Sequence, residues 1–384
     1  MKILFASDMS FNYFGEFPGK DTVRKMMGET AKEFKKADFS ILNLENIFGE
    51  KEGLTPIVKS APKLISPESF AEFVDILEPT AVGLANNHSR DYGEEALFGT
   101  IKLLREKGYQ IAGAGKNIDE AYESAVFEKD GICTAVIAVC ENEPGVAEEN
   151  LGGSAGYNLA RVAKAITEAK EKGQLPMIYF HGGNEFNPFP SPDKTELFRH
   201  FIDLGAKAVI SMHTHCPQGY EMYNGCPIVY SMGNFYFPWK GEKLPSWYYG
   251  YMTMLDVSKE KIGIEIIPYR FDINGHYILK SEEKEAFMKY IKHLCDVIKD
   301  SKKIKEYFDA WSVMWGVETL VPYLCYTEDL LKDAPTSIMR MKNVLCCEAH
   351  NEVVRNALKI IYDGRIEEAG KLIPEIKKLQ QMKL

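Results

Sequence analysis

The chain has 384 residues, of which 45% are hydrophobic and 26% charged. That is an ordinary globular balance with ample length for a core, and length alone suggests two or three domains. A formal net charge of -9 at pH 7 argues against a general polyanion-binding surface. No nucleic-acid partner is therefore expected, although a local cationic site is not excluded.

The opening MKILFASDMS holds an apolar run that meets Asp8 at once. It is too brief for a signal-peptide core or a membrane span, and no later segment approaches a span. A cytoplasmic protein without a transmembrane segment is the expectation. The eight cysteines show no paired metal-binding or redox spacing, which favours reduced, buried thiols over disulfides.

KILFAS reads as a first strand, TVRKMMGETAKEFKKA as a helix and FSILNLE as a second strand. SPESFAEFVDILEP follows as a helix opened by a serine cap. AVGLANN is a third strand, and GEEALFGTIKLLREKG a helix closed by Gly108. Then come YQIAGAG, GICTAVIAVC, the helix LARVAKAITEAKEKG, PMIYFHGG, a helix around TELFRHFIDLG, AKAVISMHTH and CPIVYSMGN. Strand and helix in turn predict an α/β fold with a largely parallel sheet. GYMTMLDVSKEKIGIEIIPYRF reads as a terminal hairpin. From about Ser281 long charged amphipathic segments take over. Val354, Leu358 and Ile361, at spacings of four and three, mark one helical face. The expectation is a domain over 1–280 and a helical extension over 281–384 packed on it, with neither strands nor clustered polar chemistry in the extension.

The polar outliers fall at strand ends. Asp8 ends the first strand, Glu45 the second, and Asn86, Asn87 and His88 the third. His181 ends a later one, His213 and His215 the next, and Asn234 the one after. Alternate residues of an extended chain point the same way, so His213 and His215 are expected to face one side together. Two neutral imidazoles converging on one point suit a metal. The carboxyl edge of an open α/β sheet is where ligands bind. Each residue alone has a plainer explanation: a helix cap for Asp8 or Glu45, a turn for Asn87, a hydrogen-bonded core position for His181. Their coincidence on one edge is what argues for a site. Two carboxylates, a carboxamide and three imidazoles, without thiolate, suit one or two divalent transition metals (Mn, Fe or Zn) sharing a bridging carboxylate. Asp91, three residues after His88, can orient that ring, cap the helix at Gly93, or do both. His200, His276, His293 and His350 read as surface or packing residues.

The ordered motifs SD, NLEN, ANNHSRDYG, HGGNEF, MHTHCPQGYEMY and VYSMGNF resemble the CapA family of bacterial capsule and poly-γ-glutamate synthesis proteins. The resemblance runs from Met1 to about Phe237 and more weakly to Arg270. It implies a calcineurin-like metallophosphoesterase fold, an α/β/β/α sandwich of two sheets between helices. It also implies metal-ligand positions at Asp8, Glu45, Asn87, His181, His213 and His215, and an acid beside the leaving group at His88. Ser10, Asn86, Glu185, Glu221 and Asn234, polar residues near that site, read as substrate contacts or supports of the ligands, with simple solvation equally open for Glu185 and Glu221. Three positions depart from the pattern. Ser10 stands where metallophosphoesterases have a histidine, Glu45 after Leu44 replaces an aspartate after glycine, and Gly182 replaces an aromatic residue.

The function implied is a metal-dependent hydrolase of poly-γ-glutamate or capsule metabolism. Its substrate would be an acidic small molecule or polymer, reached through phosphoester or γ-glutamyl amide chemistry. The alternative is a non-catalytic assembly factor that binds acidic polymer or a synthase partner.

Overall fold

Short apolar runs, buried on both faces, build the centre of the protein in the computed structural model, which describes residues 1–11, 15–59, 62–324 and 334–382. In chain order the strands are β1 (Lys2–Met9), β2 (Phe39–Leu44), β3 (Ile47–Phe48), β4 (Ile65–Ser66), β5 (Ala81–Gly83), β6 (Gln110–Ala112), β7 (Ala114–Gly115), β8 (Ala125–Lys129) and β9 (Ile132–Cys140). They continue as β10 (Gly153–Ser154), β11 (Leu175–His181), β12 (Ala208–Met212), β13 (Tyr220–Tyr223), β14 (Cys226–Val229), β15 (Asn234–Tyr236), β16 (Tyr249–Val257), β17 (Ile262–Asp272) and β18 (Gly275–Ile278).

Two large sheets result. The first has the order β18-β17-β16-β1-β2-β5-β6, with β15 also paired to β1. The second has the order β13-β14-β12-β11-β9-β8. The parallel sheet expected from the strand–helix alternation is present only in their centres. β1, β2, β5 and β6 are mutually parallel, as are β9, β11, β12 and β14. The flanks β16–β18, β8 and β13 are antiparallel. β8 and β13 carry Glu128, Lys129 and Glu221 on short segments, and that polarity hid them from a reading based on apolar runs.

The period-2 alternation of β1 sorts its side chains between two cores. Ile3 and Phe5 face the second sheet, whereas Leu4 and Ala6 pack outward. The outward side is covered by α1 (Lys20–Phe34), α2 (Glu72–Leu77) and α3 (Gly93–Glu106), through Val23, Met27, Phe73, Val74, Leu97 and Leu104. Beyond the one-turn α4 (Ile118–Ala121), α5 (Leu159–Glu171) and α6 (Pro192–Leu204) cover the second sheet through Val162, Ile166, Phe198 and Phe201. This is the α/β/β/α sandwich. Under the site the sheets meet closely. The Tyr179 hydroxyl of β11 donates to the Ala6 carbonyl of β1. A Cβ at Gly83 would lie 2.8 Å from the Tyr179 ring, so only glycine fits there.

Two local expectations differ from what is observed. The cap position of the helical segment after β4 is Pro67, without a side-chain cap, while the Ser66 hydroxyl donates to Asn46 at 3.2 Å. The cap position of α3 is Tyr92, also without a side-chain bond, because Asp91 is engaged elsewhere.

After β18, α7 (Ser281–Ile298) and α8 (Ser301–Trp311) lead into further helices at Ala334–Cys346, Glu348–Tyr362 and Ile373–Gln380. Phe287, Ile291, Leu294 and Trp311 enter the same core as Ile210 and Val229 of the second sheet. Against expectation, this region does carry clustered polar groups. Glu348 accepts from the Asn142 backbone N–H at 2.9 Å, and Glu352 accepts from the Ser191 hydroxyl at 2.5 Å and the Asp193 N–H at 3.1 Å. Cys347 Sγ lies 3.5 Å from Glu141 Oε2. All seven described cysteines are free, and Cys346 among them is exposed.

Candidate metal centre

The carboxyl ends of both parallel centres open onto the same place. Asp8, level with Asn43 of β2 and Asn234 of β15, is fully buried. Its Oδ1 accepts from Asn43 Nδ2 at 2.7 Å and lies 3.2 Å from His181 Nδ1. Its Oδ2 accepts the His213 backbone N–H at 2.8 Å. Burial alone would raise this carboxyl, but the imidazoles of His181 and His215 and that N–H hold it below the usual carboxylate range.

The two histidines after β12 do converge, though not through strand alternation. His213 has φ +90° and His215 φ +55°, left-handed conformations that a non-glycine residue rarely adopts outside constrained functional turns. Their ring centroids are 5.9 Å apart. His213 Nδ1 lies 2.9 Å from His181 Nε2, and Asn87 Oδ1 lies 3.2 Å from that same nitrogen. His215 Nδ1 sits 2.8 Å from Asn234 Oδ1, and its ring packs against Trp247 and Phe237. Burial pushes both imidazoles toward the neutral form, His213 strongly so. Neutral imidazole is the ligating form.

Glu45, just past β2, is fully buried, and neither of its carboxylate oxygens has a hydrogen-bond partner. Oε1 stands 3.7 Å from both His88 Nε2 and His181 Nε2. Burial first, then the charges of Asp8 and Glu185, push this carboxyl well above its ordinary value. Two groups of donor atoms are close enough to share an ion: Glu45 with His181 and His213, and Asp8 with Glu45 and His215. The groups overlap at Glu45. A buried carboxylate without protein partners, common to two oxygen–nitrogen donor sets, is compatible with one or two divalent cations.

His88 stands beside this cluster. Its Nδ1 is 2.7 Å from Asp91 Oδ2, and Lys59 Nζ is 2.5 Å from Asp91 Oδ1. Lys59 also donates to the Asn87 carbonyl at 2.9 Å. With Nδ1–H given to Asp91, Nε2 is the nitrogen left facing Glu45. Burial and the Lys59 charge push the ring down to about 4, against the pull of Asp91. Asp91 further accepts the Leu64 N–H at 2.7 Å, so it orients His88 rather than capping α3.

The outlying residues divide. Asn86 ties the turn together, donating to the Leu44 carbonyl at 2.9 Å and accepting the His88 N–H at 3.0 Å. Ser10 is buried, with its hydroxyl 3.5 Å from Asn46 Oδ1. Asn234 begins β15 rather than ending a strand, and its Nδ2 donates to the Trp247 carbonyl at 3.1 Å. Glu185 lies close enough for its charge to act on Glu45 and His215. Glu221 is not part of the cluster. On the antiparallel edge strand β13 it pairs with Ile228, which is level with Val209, well short of His213. There Arg199 and the Tyr230 hydroxyl bind its carboxylate. The glycine at 182 also has a steric cause, since a Cβ there would lie 2.6 Å from Glu141 Cγ.

Asn43, Lys59 and Glu143 were not foreseen. Asn43 sits inside a strand, and Lys59 comes from a loop without periodicity. Glu143, 3.8 Å from His213 Nε2, follows β9 in a polar stretch. Only Asn43 left a trace, as a polar residue in an apolar run two places before Glu45.

Among known proteins, the profile of the family described as "Bacterial capsule synthesis protein PGA_cap" matches residues 9–238. The PGA biosynthesis protein CapA of Bacillus subtilis (strain 168) is 28% identical over 210 residues, covering 53% of this chain and 54% of that protein. The capsule biosynthesis protein CapA of Bacillus anthracis is 30% identical over 164 residues, covering 41% of this chain and 40% of that protein. The chain thus spans about half or less of the length of these relatives. A solved structure of a hypothetical protein from Thermus thermophilus aligns with a TM-score of 0.43 at 13% identity, covering 70% of this chain and 99% of that one. No helix among the described residues is long and apolar enough to cross a membrane. The family match takes in well over half of the chain and every donor of the cluster except Asp8, and the chain belongs to the PGA_cap family of bacterial capsule synthesis proteins.

Proposed function

We propose that the protein is a metal-dependent hydrolase of poly-γ-glutamate or capsule metabolism. It would act on an acidic small molecule or polymer through one or two divalent transition metals (Mn, Fe or Zn). The ligands would be Asp8, Glu45, Asn87, His181, His213 and His215. The supporting observation is Glu45, buried, unpartnered and common to both donor groups. Leaving such a carboxylate in the protein interior is costly unless a cation accompanies it. When bound, such ions supply Lewis acidity toward a phosphoryl or acyl oxygen and assist the activation of water.

The chain's own groups supply the rest. Protonation of the leaving group by His88 would use the imidazolium, with Nδ1–H held by Asp91 and Nε2–H toward the substrate, a form that Asp91 supports and that burial and Lys59 oppose. Phe237 and Trp247 shield His215 from water. The site belongs to the 1–280 region in this reading, with 281–384 as an extension. Ser10 favours the second reading, a non-catalytic assembly factor, because it adds no imidazole to the Asp8 side of the cluster.

Elemental analysis of protein purified without chelator tests the proposal, alongside His213→Ala, His215→Ala, Asn87→Ala and His88→Ala. Metal content should fall in the first three and stay near wild type in His88→Ala. That variant should lose turnover by ~10²–10⁴, most with poor leaving groups, the usual worth of a positioned proton carrier. Equal metal content in all five proteins defeats the metal site. Metal-loaded wild type that cleaves neither phosphate esters nor γ-glutamyl amides gives way to the assembly-factor reading.

A further inference from the structure

We propose that Lys243 binds the anionic group of the substrate, a phosphate or a carboxylate, on the His215 side of the cluster and so determines specificity. The inference rests on the metal-centre reading above. Lys243 lies beyond the residues 9–238 matched by the family profile, on the loop between β15 and β16.

Its Nζ sits 3.9 Å from the centroid of the Trp239 ring, 4.1 Å from that of Trp247 and 5.5 Å from that of Phe186. The platform is fixed, because buried Trp247 donates its indole N–H to the Phe237 carbonyl at 2.7 Å. It is also continuous with the site. The Trp247 ring lies 4.5 Å from the His215 ring, and Phe186 lies 6.0 Å from it.

Three other cations held in the fold are already neutralised: Lys59 by Asp91, Lys194 by Glu141 and Arg199 by Glu221. Lys243 has no ion-pair partner among the described residues. Partial burial disfavours its charge, and Glu185 supports that charge only from a distance. Aromatic faces hold an ammonium in place without consuming its hydrogen-bond donors. Those donors are what an incoming oxyanion needs. The cluster itself is rich in carboxylates, with Asp8, Glu45, Glu143 and Glu185, and would repel an acidic substrate unless cations face it.

Isothermal titration of inorganic phosphate and, separately, glutarate into wild type, Lys243→Met and Lys243→Arg tests this. Metal content and thermal unfolding are measured on each protein. Lys243→Met should weaken binding of the preferred anion by ~10-fold or more at unchanged metal content, the worth of about one charge-assisted hydrogen bond. Lys243→Arg should restore most of it. The arm that binds distinguishes a phosphate ester from a γ-glutamyl substrate. Equal affinity of metal-matched wild type and Lys243→Met overturns the inference, as does metal-loaded wild type that binds neither anion. A lysine that only braces the aromatic rings would shift thermal unfolding without altering anion affinity, and that result also overturns it. Absence of metal from wild type is read separately and removes the metal-centre reading together with this one.

Discussion

Glu45 concentrates the tension of the site. Its carboxylate is held among apolar strands and other acids, with no donor to either oxygen. A residue arranged for packing alone would not be kept that way, because an unsatisfied buried charged group costs more than the ~1–3 kcal/mol of an unpaired neutral one. Glu45→Gln should therefore separate stability from metal binding. In chelator-treated protein, thermal or urea unfolding should show the glutamine variant to be more stable than wild type by ~1–3 kcal/mol, since an amide escapes the burial penalty and the repulsion from Asp8 and Glu185 that oppose ionisation of Glu45. The same variant should retain less metal when purified without chelator. A variant that is less stable than metal-free wild type would mean that Glu45 is structurally satisfied in a way its surroundings do not reveal. The left-handed φ values of His213 and His215 belong to the same pattern of local strain at a site.

At the scale of elements, strand ends do the positioning, and that is why so much of the site was legible. Asp8, Glu45, His181 and His213 each interrupt an apolar run, and a run of that kind reads as a strand without any tertiary knowledge. The convergence of His213 and His215 was legible too, but its cause was not, because a left-handed turn leaves no periodic trace in the residues M-H-T-H. Lys59 was illegible since a buried lysine is defined by its partner Asp91, 32 positions away in sequence. Glu221 misled because proximity in sequence to His213 does not survive the reversal into β13.

The helix Glu348–Tyr362 shows a further limit. Its periodicity announced a helix, but not that Glu352 would dock on the first turn of α6. Burial, together with Asp193, raises the Glu352 carboxyl to about 7. Its folded value thus exceeds its unfolded one, so the stability it contributes is complete below about 4.5 and is lost as pH rises through about 7. Unfolding free energy should fall by roughly 1–3 kcal/mol more between pH 5 and pH 8 in wild type than in Glu352→Gln. Parallel pH profiles of the two proteins would show that the carboxyl titrates alike in the folded and unfolded states.

For the molecule as a whole, the helices after Ser281 share the core of the second sheet. α7 packs against edge strand β13 of the second sheet and the antiparallel flank of the first. Phe287 packs on Tyr251 of β16, and α7 passes so close to Gly219, just before β13, that a Cβ there would lie 2.7 Å from Ile298 Cδ1. The composition shift at Ser281 marks a helical extension, and composition cannot reveal which apolar face a later helix covers. Phe287, Ile291, Leu294 and Trp311 are each at most 2% exposed. At ~1.5–3 kcal/mol apiece, their loss alone rivals the ~5–15 kcal/mol margin of a typical domain. A chain ended after Lys280 should therefore not persist as a folded monomer. Size-exclusion chromatography should find it aggregated, and near-ultraviolet circular dichroism should find its aromatic packing lost. Metal content should fall with them, since β12, which leads into the His213–His215 turn, shares its core with α7 and α8. The opposite result, a monomeric 1–280 fragment that unfolds cooperatively and holds metal as the full chain does, would make the helices an accessory layer. It would also place the whole stability of the centre in the two sheets and the helices that precede Ser281.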